Sequence, residues 1–177
     1  REHLEQLDSV GCVAVPGFCD PRTTRRIADR LEELFEAEGE SAGSEFKLET
    51  GCRRLANLAD KDELFRELMV RDDLLAYARH VLGPRFKLSS LNARSINPGC
   101  RRTQPLHADM SALPDDDGFW VFNSLWMLDD FTPDNGALRY VPGTHHRHAL
   151  PADELDDPLA DHPDQQLATG AAGTVLL

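Results

Sequence analysis

The 177-residue sequence lacks a long apolar run and lacks a basic leader followed by apolar residues. A helix that crosses a bilayer needs roughly 20 consecutive apolar residues, and a secretion signal needs both parts of such a leader. We therefore predict a cytoplasmic location and no membrane partner. The net charge of −12 also argues against a nucleic-acid partner, because surfaces that bind nucleic acid are basic.

Cysteine is scarce and follows no metal-binding or disulfide pattern. The four cysteines form no CxxC pair and no Cys/His zinc spacing; they are Cys12, Cys19, Cys52 and Cys100. Without a sign of secretion, this pattern favours reduced structural thiols over a disulfide framework.

Acidic residues are missing between Asp73 and Asp109, although the chain as a whole is acidic. The stretch carries a local charge of +6 from Arg79, Arg85, Lys87, Arg94, Arg101 and Arg102. This reversal of sign predicts an anionic ligand nearby. The alternative is that these side chains are ordinary solvated surface residues.

The first part of the chain, residues 1–84, has the pattern of a helical layer. Apolar residues at helical spacing predict helices over 21–38, 61–69 and 72–82. Residues 11–18 alternate as in a short strand, and the polar, Gly-containing stretch 39–50 predicts a loop.

From residue 85 onward, short apolar stretches separated by Pro, Gly and Asp are typical of a β-sandwich or barrel. We predict strands over 86–96, 103–109, 119–128, 137–142, 166–168 and 174–177, and one helical turn at 152–155. The predicted fold is mainly β with N-terminal helices (α+β), in one domain that spans 1–177. Because the sequence ends within an apolar strand, we also expect it to be truncated before the last strands.

His107 and Asp109 stand at positions i and i+2 of the predicted strand 103–109. Both side chains would then point to the same face, about 6.6 Å apart along the strand. A histidine and a carboxylate beside open positions are part of the facial triad of non-haem iron sites. The alternative is that these residues only cap a turn.

A second motif follows downstream, in the stretch LDDFTPDNGALRYVPGTH at 128–145. It resembles the segment NG-x-L-x-x-x-PG-[ST]-H of the phytanoyl-CoA dioxygenase family, and the upstream Pro105-Leu106-His107-x-Asp109 resembles that family's metal strand. Asn135-Gly136 and Pro142-Gly143 suit tight turns with positive φ, so we interpret them as scaffold.

The resemblance implies a double-stranded β-helix, a cupin-like jelly roll with Fe(II) at its open end and 2-oxoglutarate as co-substrate. It also implies hydroxylation of an unactivated C–H bond with O2, since related halogenases lack the carboxylate that Asp109 provides. By the same resemblance, His107 and Asp109 are metal ligands, and Ser95, Asn123 and Leu125 contact 2-oxoglutarate.

The resemblance further implies a third His ligand and a 2-oxoglutarate-binding Arg after the strand at 173–177. Neither position falls within the 177 residues, so we expect this chain to be inactive by itself. No motif directs another downstream histidine toward the metal; these histidines are His145, His146, His148 and His162. For a small, anionic organic substrate the candidate contacts are Arg94, Arg101 and Arg102.

Two alternatives stay open at this stage. One is a cupin-like protein, or a degenerate homologue, that binds a metal or small ligand without oxygen chemistry. The other is a zinc- or manganese-dependent isomerase or hydrolase on the same fold. The sequence leaves the substrate's identity and the oligomeric state open.

Overall fold

The computed structural model describes residues 1–100 and 103–177. Arg101 and Arg102, two of the predicted substrate contacts, therefore lie outside the described residues. The helices are α1 (Glu2–Val10), α2 (Pro21–Glu38), α3 (Leu58–Lys61), α4 (Glu63–Met69), α5 (Asp72–Leu82) and α6 (Pro151–Glu154). The strands are β1 (Ala14–Val15), β2 (Cys52–Leu55), β3 (Ala93–Ile96), β4 (Leu125–Trp126), β5 (Leu138–Tyr140), β6 (Gln166–Ala168) and β7 (Val175–Leu176).

Local signals account for the start of α2. The carboxylate of Asp20 accepts hydrogen bonds from the backbone N–H groups of Arg22 and Thr23, at 2.9 and 3.0 Å. Pro21 occupies the first helical position, where its missing N–H does no harm. The predicted helices 21–38 and 72–82 are confirmed, with the latter as α5.

The predicted helix 61–69 is two helices, because Asp62 interrupts it. Asp62 is extended (φ −160°, ψ 149°) and its carboxylate accepts from the N–H of Leu64 at 2.9 Å, so it caps α4. Helix α1 was not predicted from the sequence.

Strand β7 lies at the centre of a three-stranded antiparallel sheet with the order β1–β7–β4. Leu176 stands opposite both Ala14 and Leu125. On one face of β7, Val175 and Leu177 pack in a cluster with Leu7 of α1 and with side chains of α5. On the other face, Leu176 packs against Met127 and Ala168 of β6. The sheet is thus covered by helices on one side and by the β5–β6 pair on the other.

A second core lies between α2 and α4. Ile27, Leu31 and Phe35 of α2 pack there with Leu55 of β2 and with Phe65 of α4, which is 1% exposed. Trp126 borders this core and the cluster around Val175, so it joins the two.

The β prediction is correct in position for most strands but too generous in length. The strand 166–168 is confirmed as β6, whereas 119–128 contains only the two-residue β4. The helical turn predicted at 152–155 is present as α6, which begins one residue earlier. Gly136 and Gly143 have φ values of +94° and +73°, as the predicted turns require.

The predicted strand 103–109 is wrong. Residues 103–108 form no ladder, and Asp109–Ser111 is a 3₁₀ turn in which Met110 and Ser111 have φ values of 56° and 53°. Pro105 has no N–H to give to a ladder, and the N–H of Leu106 donates to Pro158 O at 2.8 Å instead.

Across the two described stretches of chain, no helix combines the length and apolar character that a membrane span requires.

Two glycines with positive φ allow a test of the packing around β7. A Cβ at Gly173 (φ +89°) would lie 2.5 Å from the backbone oxygen of Cys19, whereas a Cβ at Gly17 (φ +65°) would meet no atom of the described residues within 4 Å. Gly17→Ala should lower the free energy of unfolding by about 1–2 kcal/mol through backbone strain alone. Gly173→Ala should lower it by about 1–3 kcal/mol more, because the backbone near Cys19 must shift. Urea unfolding measures both values, and equal losses would contradict the close packing of Gly173.

Candidate metal centre

His107 and Asp109 come together at the turn that replaces the predicted strand. Nε2 of His107 lies 3.2 Å from Oδ1 of Asp109, and both side chains are 53% exposed. Strand alternation predicts that the two side chains share one face. The structure brings them together by a turn, and the two atoms are closer than a strand would place them.

The far side of the His107 ring is held by the backbone. Nδ1 lies 2.8 Å from the carbonyl oxygen of Pro105. Because a carbonyl only accepts hydrogen bonds, Nδ1 carries the proton and the neutral ring has its lone pair on Nε2. Histidine ligands of metals are oriented in this manner, with the second ring nitrogen donating to a carbonyl or carboxylate.

The far oxygen of Asp109 is also held. The side-chain amide of Asn123 donates to Oδ2, which leaves Oδ1 directed at His107. Asn123 was predicted as a 2-oxoglutarate contact, and its bond to Asp109 was not foreseen. Asn123 lies two residues before β4, so the pattern along the strand gave no indication that its amide would reach the 3₁₀ turn.

The pair fits a first-row divalent cation. Two cis ligands at right angles, each with a bond of about 2.1 Å, lie about 3.0 Å apart. The observed separation of 3.2 Å is close to this value. A neutral imidazole nitrogen and a carboxylate oxygen are also suitable donors for Fe(II).

Without a metal, a proton links the two side chains. The hydrogen bond that His107 donates to Asp109 raises the pKa of His107 above its ordinary value, and the bond to Pro105 acts in the same direction. The hydrogen bond from His107 lowers the pKa of Asp109. The pair is therefore stabilised in its charged form, and a metal ion must displace the proton on Nε2.

No third ligand joins this pair within residues 1–100 and 103–177, where no group of three or more His, Cys, Asp or Glu has the geometry of a metal site. His145 contacts Asp8 O at 3.1 Å, and His148 contacts Pro114 O at 3.0 Å. His146 packs against the ring of His145, with centroids 4.0 Å apart. Nδ1 of His162 accepts from the N–H of Asp164.

Arg94 lies next to the segment that leads to His107. Its guanidinium donates to Gln104 Oε1 at 3.2 Å and to Glu49 Oε2 at 3.1 Å. Gln104 also donates to Glu49 at 3.2 Å. A carboxylate that is only 15% exposed thus offsets the charge of Arg94.

The other predicted contacts face different neighbours. Ser95 Oγ accepts from Arg53 at 3.2 Å, and Arg53 forms two 2.7 Å bonds to Glu32 of α2. Leu125 packs in the apolar cluster around Met127. Contact of Ser95, Asn123 or Leu125 with 2-oxoglutarate stays a prediction.

The fold is shared with 2-oxoglutarate-dependent enzymes. HygX from Streptomyces hygroscopicus, solved with nickel, 2-oxoglutarate and hygromycin B bound, superposes with a TM-score of 0.68 at 19% identity, over 99% of this chain and 76% of HygX. The epimerase SnoN from nogalamycin biosynthesis, described as non-haem and α-ketoglutarate-dependent, superposes with a TM-score of 0.68 at 21% identity, over 99% and 70% of the two chains.

The sequence identifies the family within this class. Residues 7–177 match the model of the phytanoyl-CoA dioxygenase (PhyH) family. Dioxygenase af480 of Aspergillus fumigatus is 30% identical over 157 residues, which cover 82% of this chain and 48% of that protein. The chain belongs to the phytanoyl-CoA dioxygenase family, and it spans about half the length of af480.

The proton shared by His107 and Asp109 gives a measurable pH dependence. In the metal-free protein, the raised pKa should keep the His107 ring protonated above its ordinary titration near pH 6.5. Metal affinity should therefore increase as the pH rises through this raised pKa. Asp109→Asn removes the main cause of the shift, so the pKa of His107 should fall. NMR titration of the imidazole signals measures the pKa of His107 in wild type and in Asp109→Asn, with Asp115→Asn at an exposed site as the control. An equal pKa of His107 in all three proteins would contradict the pairing.

Proposed function

We propose that this chain carries the iron site of an Fe(II)- and 2-oxoglutarate-dependent dioxygenase that hydroxylates an unactivated C–H bond of a small organic molecule. The observation that carries the proposal is the pair formed by Nε2 of His107 and Oδ1 of Asp109, 3.2 Å apart. Pro105 and Asn123 hydrogen-bond with the other polar atoms of these side chains, Nδ1 of His107 and Oδ2 of Asp109. Nε2 and Oδ1 therefore remain directed at one point.

The comparisons support this proposal at the level of family and fold. The PhyH family consists of Fe(II)- and 2-oxoglutarate-dependent oxygenases, and HygX has been solved with iron bound as well as with 2-oxoglutarate. The proposal includes one oxygenase domain over 1–177, built on a double-stranded β-helix to which the short antiparallel pairs belong. It also includes a cytoplasmic location.

Iron with 2-oxoglutarate and O2 would supply C–H hydroxylation, with 2-oxoglutarate converted to succinate and CO2. His107 and Asp109 would hold the iron. His107 would contribute the lone pair of Nε2 once the proton there is lost, and the hydrogen bond to Pro105 fixes its ring. Asp109 would contribute Oδ1, and Asn123 keeps its carboxylate from rotating. Because Asp109 fills a position that a halide would need, we propose hydroxylation and not halogenation.

The direct test is conversion of 2-oxoglutarate to succinate by the intact gene product, supplied anaerobically with Fe(II) and then exposed to O2. Wild type should form succinate only with iron, and His107→Ala should lose at least about 100-fold in turnover. Removing a ligand lowers metal affinity by more than the 10- to 100-fold effect of removing a hydrogen-bond partner of a ligand. His80→Ala, on α5, is the matched control and should keep its activity.

An intact, iron-loaded wild type without succinate formation would contradict the proposal. It would favour the cupin-like binding protein, or a zinc- or manganese-dependent isomerase or hydrolase. Incorporation of chloride into the product would contradict hydroxylation while leaving the iron site in place.

The proposed substrate is a small anionic molecule. The stretch of positive charge between Asp73 and Asp109 supports this, although Arg94 within it pairs with Glu49. Because Glu49 offsets that charge, the predicted anion-binding contribution falls mainly on Arg101 and Arg102. Replacing both with Gln should raise KM for the substrate about tenfold or more without changing Fe(II) affinity, since a charged hydrogen bond contributes about 1.5–3 kcal/mol. Unchanged KM would refute the anionic substrate.

A further inference from the structure

Arg139 is a nearly buried cation on β5, with a side chain that is 11% exposed. One terminal nitrogen, Nη2, donates to Gln104 O and to Pro158 O, both at 2.8 Å. The other, Nη1, donates to Ala160 O at 2.8 Å. The nearby Asp161 is 3.9 Å away and 89% exposed. Backbone carbonyls, more than a carboxylate, therefore hold this guanidinium.

The carbonyls belong to two segments that are distant in sequence. Pro158 O accepts from Arg139 and also from the N–H of Leu106, at 2.8 Å. Residues 104–106 are thus tied at both ends, through Gln104 O and through Leu106 N. Because this segment belongs to no strand, these hydrogen bonds pair its backbone groups in place of a β-ladder.

The tied segment orients His107. The carbonyl of Pro105 lies between the two fixed residues, and it accepts the hydrogen bond from Nδ1 of His107. A shift of Pro105 would turn the imidazole and move Nε2 away from Asp109. Arg139 is therefore linked to His107 through two successive backbone contacts, at Gln104 O and at Pro105 O.

We propose that Arg139 is a positioning residue for the metal site, which it serves by fixing residues 104–106 and through them the ring of His107. The inference rests on the proposed role of His107 as a metal ligand. Arginine suits this task because its planar fork presents several donors in fixed directions, whereas lysine presents a single charged nitrogen.

The test compares Arg139→Lys with Arg147→Lys in the intact gene product. Arg147 is the matched control, because its guanidinium pairs with Glu154 at 2.7 Å on an exposed site. Two quantities are measured: hydrogen exchange of the Leu106 amide in metal-free protein, and Mn(II) affinity by calorimetry. Arg139→Lys should speed exchange at Leu106 about tenfold or more and weaken Mn(II) binding about tenfold, the low end of the range for groups that contact metal ligands directly, since Arg139 acts one contact further out. Arg147→Lys should change neither.

The amide of Val13 serves as an internal reference, since it donates to Leu177 O in the central sheet. Equal acceleration at Val13 and Leu106, or failure of Arg139→Lys to fold, would assign Arg139 to overall stability and overturn the inference. Unchanged Leu106 exchange or unchanged Mn(II) affinity would also overturn it. Lack of metal binding by wild type would instead contradict the proposed function, while Leu106 exchange would still show whether Arg139 holds the segment.

Discussion

The pairing of β7 with both β1 and β4 is the constraint on which the rest of the structure depends. Leu176 meets Ala14 on one side and Leu125 on the other, so three distant parts of the chain share one sheet. Val175 is 0% exposed, and burial of such side chains contributes about 1.5–3 kcal/mol each. Because β4 is fixed in this manner, Asn123 just before it lies where its amide reaches Asp109.

The pairing of His107 with Asp109 is a consequence of hydrogen bonds around a segment that has no regular structure. His107 is directed by the carbonyl of Pro105, and Asp109 by the amide of Asn123. Each side chain thus has one remaining polar atom, Nε2 of His107 and Oδ1 of Asp109, and these two atoms face each other at 3.2 Å. This preorganisation explains how residues at a 3₁₀ turn can replace the strand alternation that the sequence indicated. Any metal ion that binds this pair must displace the proton on Nε2 of His107.

The sequence predicted what depends on neighbouring residues. Helix 21–38 carries its own cap at Asp20 and its own apolar stripe, and Gly136 and Gly143 mark turns by their need for positive φ. The predicted strand lengths and the predicted strand 103–109 were wrong because the hydrogen-bond partners of these residues are remote in sequence. The N–H of Leu106, for example, donates to Pro158 O, which no local pattern reveals. For the site, the two candidate ligands were identified, but the contacts of Asn123 and Arg139 depend on the tertiary structure.

The central claim is that His107 and Asp109 bind the metal. Titration of the intact gene product with paramagnetic Mn(II), followed by NMR, tests it directly, since signals nearest the ion broaden first. We expect the resonances of His107, Asp109 and Asn123 to broaden together at the lowest Mn(II) concentrations. Broadening centred on His146 and His148, with His107 unaffected, would contradict it.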